Sequence, residues 1–185
     1  MDVAHCYLEG NADAVEFCPH DGYQNVLAAS TYTLKEGEQP TRAGIISLFD
    51  VNAEKGNLEL FHCVDTAGDF DIKWSPVGSS ARPLLAQADA DGYLRLYSLE
   101  GCSNEEKPRG DFLNEVSGER ISSSNPSATS GKHMTLSFDI HQPQLMHTGS
   151  DDCKFSCWDI RDSPSEMVFQ NSKITIGLRI AMSFA

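Results

Sequence analysis

The stretch Leu84–Tyr97 reads LLAQADADGYLRLY, and the stretch Leu145–Trp158 reads LMHTGSDDCKFSCW. The two align without a gap, and each has an apolar start, small residues, an acidic turn and an alternating stretch that ends on an aromatic residue. Alternation of apolar and polar residues on both sides of a short turn is typical of a β-hairpin. Each stretch therefore predicts two antiparallel strands.

A short segment with alternating apolar residues precedes each hairpin, at Asp71–Pro76 and at Leu136–His141. A third copy begins at Ala14–Pro19 and leads to the strands Val26–Tyr32 and Gly44–Asp50. Self-similarity of this kind is the sequence signature of a repeat architecture. The sequence therefore predicts an all-β fold in which one strand–hairpin unit occurs three times.

These units resemble the WD-repeat family, whose blades are four-stranded sheets arranged radially in a propeller. In that family a turn aspartate, a serine or threonine, a tryptophan and a histidine often form a hydrogen-bonded tetrad. The resemblance implies structural roles for one set of residues: Trp74, Asp91, Ser150, Asp152 and Trp158. We expect both tryptophans to be core anchors between blades.

The tetrad roles are distributed unevenly over the units. Ser150, Asp152 and Trp158 fill three of the four roles in the third unit, and His133 is the candidate for the fourth. In the second unit Tyr97 replaces the tryptophan and Asp89 occupies the serine position, so that tetrad is predicted to be degenerate.

The spacing of the units is also uneven. Tyr97 and Trp158 lie 61 positions apart, whereas a blade has roughly 40–45 residues. The excess falls in Ser103–Lys132, whose composition predicts an exposed loop or the remnant of a blade. We predict a partial propeller at 1–162, with units at about 12–52, 70–100 and 133–162, and a tail without the motif at 163–185.

Three recognisable units are fewer than the four or more blades that propellers need. We therefore predict an incomplete WD-repeat β-propeller of about three to four blades, one degenerate, whose ring this chain does not close alone. A shortened array leaves apolar faces and strand edges open. The chain is expected to be a truncated isoform or to be completed by another chain.

The motifs in their order resemble one group of WD-repeat proteins, the diphthamide-biosynthesis proteins that act as diphthine methyl ester hydrolases. The likeness is carried by Ala14–Pro19, Arg42–Phe49, Asp71–Trp74 and Trp158–Arg161, together with a first turn enlarged by Thr33–Arg42. The resemblance implies hydrolysis of the methyl ester of methylated diphthine on elongation factor 2, the substrate protein. Truncation is expected to impair this activity.

Composition restricts the partners. The formal net charge is −13, and no Lys/Arg cluster supplies the basic face that nucleic acid or an anionic membrane requires. The amino-terminal residues lack the apolar segment of a secretory signal, and the six cysteines are then expected to be reduced thiols. We therefore predict a cytoplasmic protein that binds neither nucleic acid nor membrane.

The sequence assigns no catalytic residue. It contains neither a G-x-S-x-G nor an H-E-x-x-H motif, and His147 and Ser150 point to opposite faces of a strand because they are three positions apart. Gln87–Gly92 is incomplete as a calcium loop, and Cys153 with Cys157 has no second ligand pair nearby. No cofactor and no metal are expected.

A second interpretation remains open, namely a non-catalytic WD-repeat module for protein–protein interaction. The insertion Lys35–Arg42 is either a contact surface for a protein substrate or a tolerated solvated loop.

Overall fold

The computed structural model describes residues 5–38, 40–78, 82–99, 113–120, 134–150, 155–160 and 167–171. These residues form twelve β-strands in three antiparallel sheets of four strands, each sheet in chain order. Sheet 1 contains β1 (Asn11–Phe17), β2 (Val26–Lys35), β3 (Thr41–Asn52) and β4 (Asn57–Thr66). Sheet 2 contains β5 (Asp69–Trp74), β6 (Leu84–Asp89), β7 (Tyr93–Leu99) and β8 (Leu113–Arg120). Sheet 3 contains β9 (Met134–Phe138), β10 (Leu145–Ser150), β11 (Phe155–Asp159) and β12 (Met167–Asn171).

The first three strands of each sheet are those that the sequence predicts, and the fourth strand is new. β4 and β12 extend the first and third units past the predicted ends at 52 and 162, and β8 lies inside the segment 103–132. Leu113–Arg120 is thus the outer strand of sheet 2 and neither a loop nor a separate blade remnant. Such an outer strand pairs on one edge only, so backbone hydrogen bonds define it more than an apolar pattern does. The strand β4 illustrates this, because none of its residues is buried. The other residues of 103–132, and 172–185 in the tail, lie outside the described ranges.

The insertion at 33–42 is a longer hairpin and not a loop. Backbone pairing of β2 with β3 continues through Thr33 with Ala43, Leu34 with Arg42, and Lys35 with Thr41. Only residues 36–40 connect the two strands. The arm is held at its base, where the Tyr32 ring stacks on the Phe70 ring with centroids 5.5 Å apart.

Two apolar layers join the sheets. The first lies between sheets 1 and 2 and includes Ile46, Leu48, Ile72 and Trp74. The second lies between sheets 2 and 3 and includes Leu94, Leu96, Met146 and Trp158. The main contacts between consecutive sheets join β1 to β5 and β5 to β9, so the sheets are closest along their first strands and fan outward from them.

The three sheets share a β-bulge at one position. The pairing of third with fourth strand shifts between Leu48 and Phe49 in sheet 1, between Leu96 and Tyr97 in sheet 2, and between Cys157 and Trp158 in sheet 3. A bulge increases the local twist of a strand pair. Its recurrence identifies Phe49, Tyr97 and Trp158 as equivalent residues and confirms that the sheets are copies of one unit.

Gly44 allows the base of the hairpin arm to approach the connection between sheets 1 and 2. A Cβ atom on Gly44 would lie 2.1 Å from the Thr31 carbonyl oxygen and 2.7 Å from Gly68 Cα, both of them backbone atoms. We predict that Gly44→Ala lowers the free energy of unfolding by about 3 kcal/mol, because the backbone must shift to relieve the overlap. Urea unfolding measures this loss. The control is Gly37→Ala, where a Cβ meets nothing within 4 Å, and equal effects of the two substitutions would contradict the prediction.

Candidate functional site

The aromatic residue of the third strand has a polar partner in sheet 3. Trp158 Nε1 donates a hydrogen bond of 3.0 Å to Thr148 Oγ1, and both side chains are buried. The sequence assigned the hydroxyl role to Ser150, which ends β10 two residues later. Asp152 and His133, the other predicted tetrad members of this unit, lie outside the described residues.

Sheet 2 contains the equivalent pair with different residue types. Tyr97 Oη donates a hydrogen bond of 2.7 Å to Gln87 Oε1. The Gln87 amide donates in turn to Asp69 Oδ1, and Thr66 Oγ1 donates to Asp69 Oδ2 at 3.2 Å. The network that the sequence predicted to be degenerate is therefore a connected one, and its acceptor is Gln87 where the sequence had placed Asp89 in that role.

Sheet 1 has neither the aromatic hydrogen-bond donor on its third strand nor the polar acceptor on its second strand. Its equivalent positions are Phe49 and Ala29, which are both buried. A buried indole N–H or phenol O–H without an acceptor is costly, so donor and acceptor are present together in two sheets and absent together in the third. The gapless alignment of the two hairpins already places Gln87 against Thr148, and this signal was available in the sequence.

The buried carboxylate at the turn of sheet 2 is Asp89. Its Oδ1 accepts hydrogen bonds from the Asp91 and Tyr93 amides at 3.0 and 2.8 Å, and its Oδ2 accepts one from Arg95 Nε at 2.8 Å. Burial raises the pKa of Asp89, against the opposing effect of the bonds from Tyr93 and Arg95. Asp91, the residue predicted for this role, is exposed at the turn. The hairpin at Gln87–Gly92 is therefore held by its own buried carboxylate.

Asp69 is a buried acid with a strongly altered pKa. Its side chain is fully buried, and burial raises its pKa to about 7, although the hydrogen bonds from Gln87 and Thr66 act in the opposite direction. The nearby carboxylates of Asp89 and Asp13 raise it further. A perturbed pKa often marks a functional site, but a group without solvent access cannot contact a substrate, so Asp69 is a structural group.

Carboxylates of one sheet bind the free backbone edge of the next. Glu16 Oε2 accepts the Trp74 amide N–H at 2.6 Å, and the Glu16 carbonyl accepts Trp74 Nε1–H at 3.1 Å. Asp71 Oδ2 accepts the Leu136 amide N–H at 2.9 Å. Lys73 Nζ lies 3.6 Å from both Glu16 Oε1 and Asp71 Oδ1. Trp74 is thus located between sheets 1 and 2, and the first strands of sheets 2 and 3 each have an N–H group that donates to a carboxylate of the preceding sheet.

His20 with Ser75 and His147 with Cys157 are two pairs of the residue types that hydrolytic sites use. His20 Nε2 lies 2.9 Å from the Ser75 carbonyl oxygen and 3.2 Å from Ser75 Oγ, but Ser75 is fully buried. His147 is the cross-strand neighbour of Cys157, and burial raises the pKa of that thiol, which disfavours the nucleophilic thiolate. Neither pair therefore presents an activated nucleophile to a substrate. Within the described ranges, no group of three or more His, Cys, Asp or Glu residues is arranged to bind a metal ion.

The phenol of Tyr97 allows a direct test of the network in sheet 2. We predict that Tyr97→Phe lowers the free energy of unfolding by about 1–3 kcal/mol, because it leaves the buried Gln87 Oε1 without its donor. Thermal and urea unfolding measure the change. Tyr7→Phe is the matched control, since Tyr7 is 93% exposed. A Tyr97→Phe variant as stable as the control would show that the hydrogen bond contributes nothing.

Four-stranded sheets that fan from their first strands, with an aromatic–acceptor pair in two of them, define an incomplete β-propeller of the WD-repeat class. Among solved structures, the WD-repeat protein Sqt1 from Chaetomium thermophilum superposes with a TM-score of 0.60 at 16% sequence identity. The match covers 89% of this chain and 37% of that one, so the neighbour continues well beyond the region it shares with this chain.

The proteins that are similar in sequence belong to a narrower group than the WD-repeat class. The chain is 36% identical over 108 residues to the diphthine methyltransferase of Mus musculus, covering 52% of this chain and 22% of the relative. It is 30% identical over 109 residues to the diphthine methyltransferase of Homo sapiens, covering 49% of this chain and 24% of the relative. These matches confirm the resemblance to the WD-repeat diphthamide-biosynthesis proteins. The matched region spans about a quarter of the length of these relatives. No protein-family model matches the chain, and no helix among its described residues is long and apolar enough to cross a membrane.

Proposed function

We propose that this chain supplies blades of a diphthamide-biosynthesis enzyme that hydrolyses the methyl ester of methylated diphthine on elongation factor 2. The observation that carries the proposal is the 36% identity with mouse diphthine methyltransferase, and the shared WD-repeat fold supports it. In this reaction water adds to the ester carbonyl, the bond from the acyl carbon to the methoxy oxygen breaks, and methanol leaves together with a carboxylate. The same proposal places the protein in the cytoplasm with its substrate protein.

The proposal names a reaction and a substrate but assigns no nucleophile. The described serine and thiol next to histidines are buried, at Ser75 and Cys157, and Asp69 has no solvent access. We therefore expect the hydrolytic groups to be residues other than Ser75, Cys157 and Asp69. Since the relatives extend far beyond the matched region, we expect the 185-residue chain to turn over slowly by comparison with a complete relative.

The test incubates the purified chain with elongation factor 2 that carries methylated diphthine and measures methanol. A second reaction supplies elongation factor 2 without the methyl ester and a methyl-labelled S-adenosylmethionine, because the name of the relatives describes methyl transfer and not hydrolysis. Methanol release in the first reaction supports the proposal. Label incorporation in the second, without methanol in the first, reverses the direction of the reaction, and the absence of both removes the catalytic function from this chain.

The hairpin arm favours a second candidate function, a non-catalytic module for protein–protein interaction. The arm extends β2 and β3 beyond the sheet, and Leu34 on it is 47% exposed. An ordered apolar projection of this kind is suited to contact a protein. This candidate predicts capture of elongation factor 2 without methanol release, weakened by Leu34→Asp and not by Ile140→Asp, whose side chain is exposed outside the arm.

A further inference from the structure

Arg42 lies in the hairpin arm and has a buried nitrogen without a partner. Its Nε atom is enclosed and forms no hydrogen bond within the part of the chain that the structure describes. The ion pairs among the described residues do not include Arg42. The side chain as a whole is only partly buried, so a ligand can reach it. A charged donor that has lost its water without gaining an acceptor raises the free energy of the folded chain, and an acceptor from outside would remove this cost.

The third strand of sheet 1 has an open edge at this residue. The strand β4 ends at Thr66, which pairs with Gly44, so residues 41–43 pair with β2 alone within the described ranges. The corresponding edge of β2 is approached by the segment before β1, because a Cβ atom on Gly10 would lie 2.5 Å from Thr33 Oγ1. The edge of β3 is therefore the side of the arm on which a further strand can pair.

The backbone of Arg42 points to that edge. The Ile45 N–H donates to Thr31 Oγ1, at 2.9 Å, and so points toward β2. Successive residues of an antiparallel strand direct their N–H and C=O groups to alternate sides. Arg42 is three positions from Ile45, so its N–H and C=O point away from β2 and toward the open edge.

One face of the arm combines Arg42 with apolar side chains. Leu34 lies directly opposite Arg42 in the register, so the two side chains project from the same face. Leu34 is 47% exposed. Tyr32, two positions earlier on the same face, stacks on Phe70 at the base of the arm. A chain that pairs with β3 would therefore meet a cation and an apolar surface side by side.

We propose that the β3 edge of the hairpin arm binds an extended acidic segment of a protein partner, which adds as a strand beside residues 41–43 and places an Asp or Glu opposite Arg42. The backbone groups of Arg42 pair with the segment, and Arg42 Nε–H donates to its carboxylate. Cross-strand neighbours have Cβ atoms about 4.5–5.5 Å apart, which these side chains span. In this mode of recognition main-chain pairing supplies affinity and the side chains supply specificity.

A carboxylate suits this site better than a neutral acceptor, because a charge-assisted hydrogen bond is shorter and stronger. The net charge of −13 opposes an acidic partner only at long range, since screening at physiological salt acts over about 8 Å. The arm itself is neutral, with Lys35 and Arg42 balancing Glu36 and Glu38. A protein contact at the arm is the second candidate function proposed above, on which this proposal rests, and hydrolysis of the ester plays no part in it.

The experiment selects a phage-displayed library of random nonapeptides against the full 185-residue chain and against two variants, Arg42→Gln and Lys35→Gln. The unmodified chain is expected to enrich Asp or Glu at one position of the aligned peptides, between the β-branched residues that favour strands. Arg42→Gln is expected to lose this acidic preference. Lys35→Gln is the matched control and is expected to keep it, because Lys35 is an exposed cation on the other face of the arm.

Fluorescence anisotropy with the most enriched peptide then measures the Kd. Arg42→Gln is expected to weaken binding at least tenfold, and so is replacement of the acidic residue of the peptide by its amide. The two changes together are expected to cost little more than either alone, because they remove the same contact. N-methylation of the three central backbone nitrogens of the peptide is expected to abolish binding, because an added strand needs these donors.

Arg42→Met supplies a readout that needs no ligand. It removes the unpaired donor, so the free variant is expected to unfold at a temperature at least as high as the unmodified chain does, and a lower temperature would contradict the proposal. No enriched peptide, the same acidic preference with Arg42→Gln, equal weakening by Lys35→Gln, or full binding of the N-methylated peptide would each overturn it. Capture of elongation factor 2 through Leu34 and release of methanol are measured without these peptides, so their failure is a separate result.

Discussion

Replacing Asp69 by asparagine is expected to remove a fall in stability that the unmodified chain shows between about pH 4 and pH 7. Burial raises the pKa of Asp69 from 3.8 to about 7 in the folded state. The folded state therefore keeps a proton that the unfolded state releases, and the free energy of unfolding decreases as the pH rises through this window. Above about pH 7 both states are ionised, and the contribution of this group is constant.

The size of the effect follows from the pKa difference. One unit corresponds to about 1.4 kcal/mol, so a shift of about three units sets an upper limit of about 4 kcal/mol for the change. Urea unfolding of both proteins from pH 4 to pH 8 measures it as the difference between unmodified chain and variant at each pH. Asp91→Asn is the control in the neighbouring turn, because Asp91 is exposed. Parallel pH profiles of the unmodified chain and Asp69→Asn would show that Asp69 is ionised in the folded protein.

The second large effect is expected for Trp158→Ala, with a loss of about 3–5 kcal/mol in the free energy of unfolding. Trp158 is 2% exposed and packs with Met146 of its own sheet and Leu96 of sheet 2. Its removal leaves a cavity in the only apolar layer that the described residues place between sheets 2 and 3. Urea unfolding measures the loss, and hydrogen exchange of the β10 and β11 amides should increase most.

Trp158→Phe separates packing from hydrogen bonding. Phenylalanine keeps most of the apolar volume but not the indole N–H. We therefore expect Trp158→Phe to lower the free energy of unfolding by the effect of the lost volume and by about 1 kcal/mol more, because the Thr148 hydroxyl loses its donor. Tyr7→Ala, at a residue 93% exposed, controls for the loss of an aromatic side chain as such. Equal losses for the alanine and phenylalanine variants would assign the energy to the hydrogen bond and contradict a role in packing.

The predicted and observed structures agree where the information is local. The hairpins at Leu84–Tyr97 and Leu145–Trp158 were predicted because alternation and an acidic turn are properties of neighbouring residues. Their strands pair with Leu85 opposite Tyr97 and Met146 opposite Trp158. The sequence analysis predicted Ser150 as the hydroxyl partner of Trp158, whereas the structure gives Trp158 Nε1 a hydrogen bond to Thr148 Oγ1, and the Ser150 side chain is not among those described. An alternating sequence pattern does not determine which residue of β10 forms the hydrogen bond with Trp158.

Local patterns were enough to predict that the chain is a repeat of β-hairpins, that the aromatic residues at the end of each hairpin are equivalent, and that the units are too few to close a ring. The outer strands, the raised pKa of Asp69 and the carboxylates that bind the next sheet follow only from the packing of the sheets. Glu16 and Trp74 are 58 positions apart and Asp71 and Leu136 are 65 apart. Hairpin signals depend on neighbours in the chain, whereas burial and edge hydrogen bonds depend on which sheets pack together, so they exist only once the sheets are stacked.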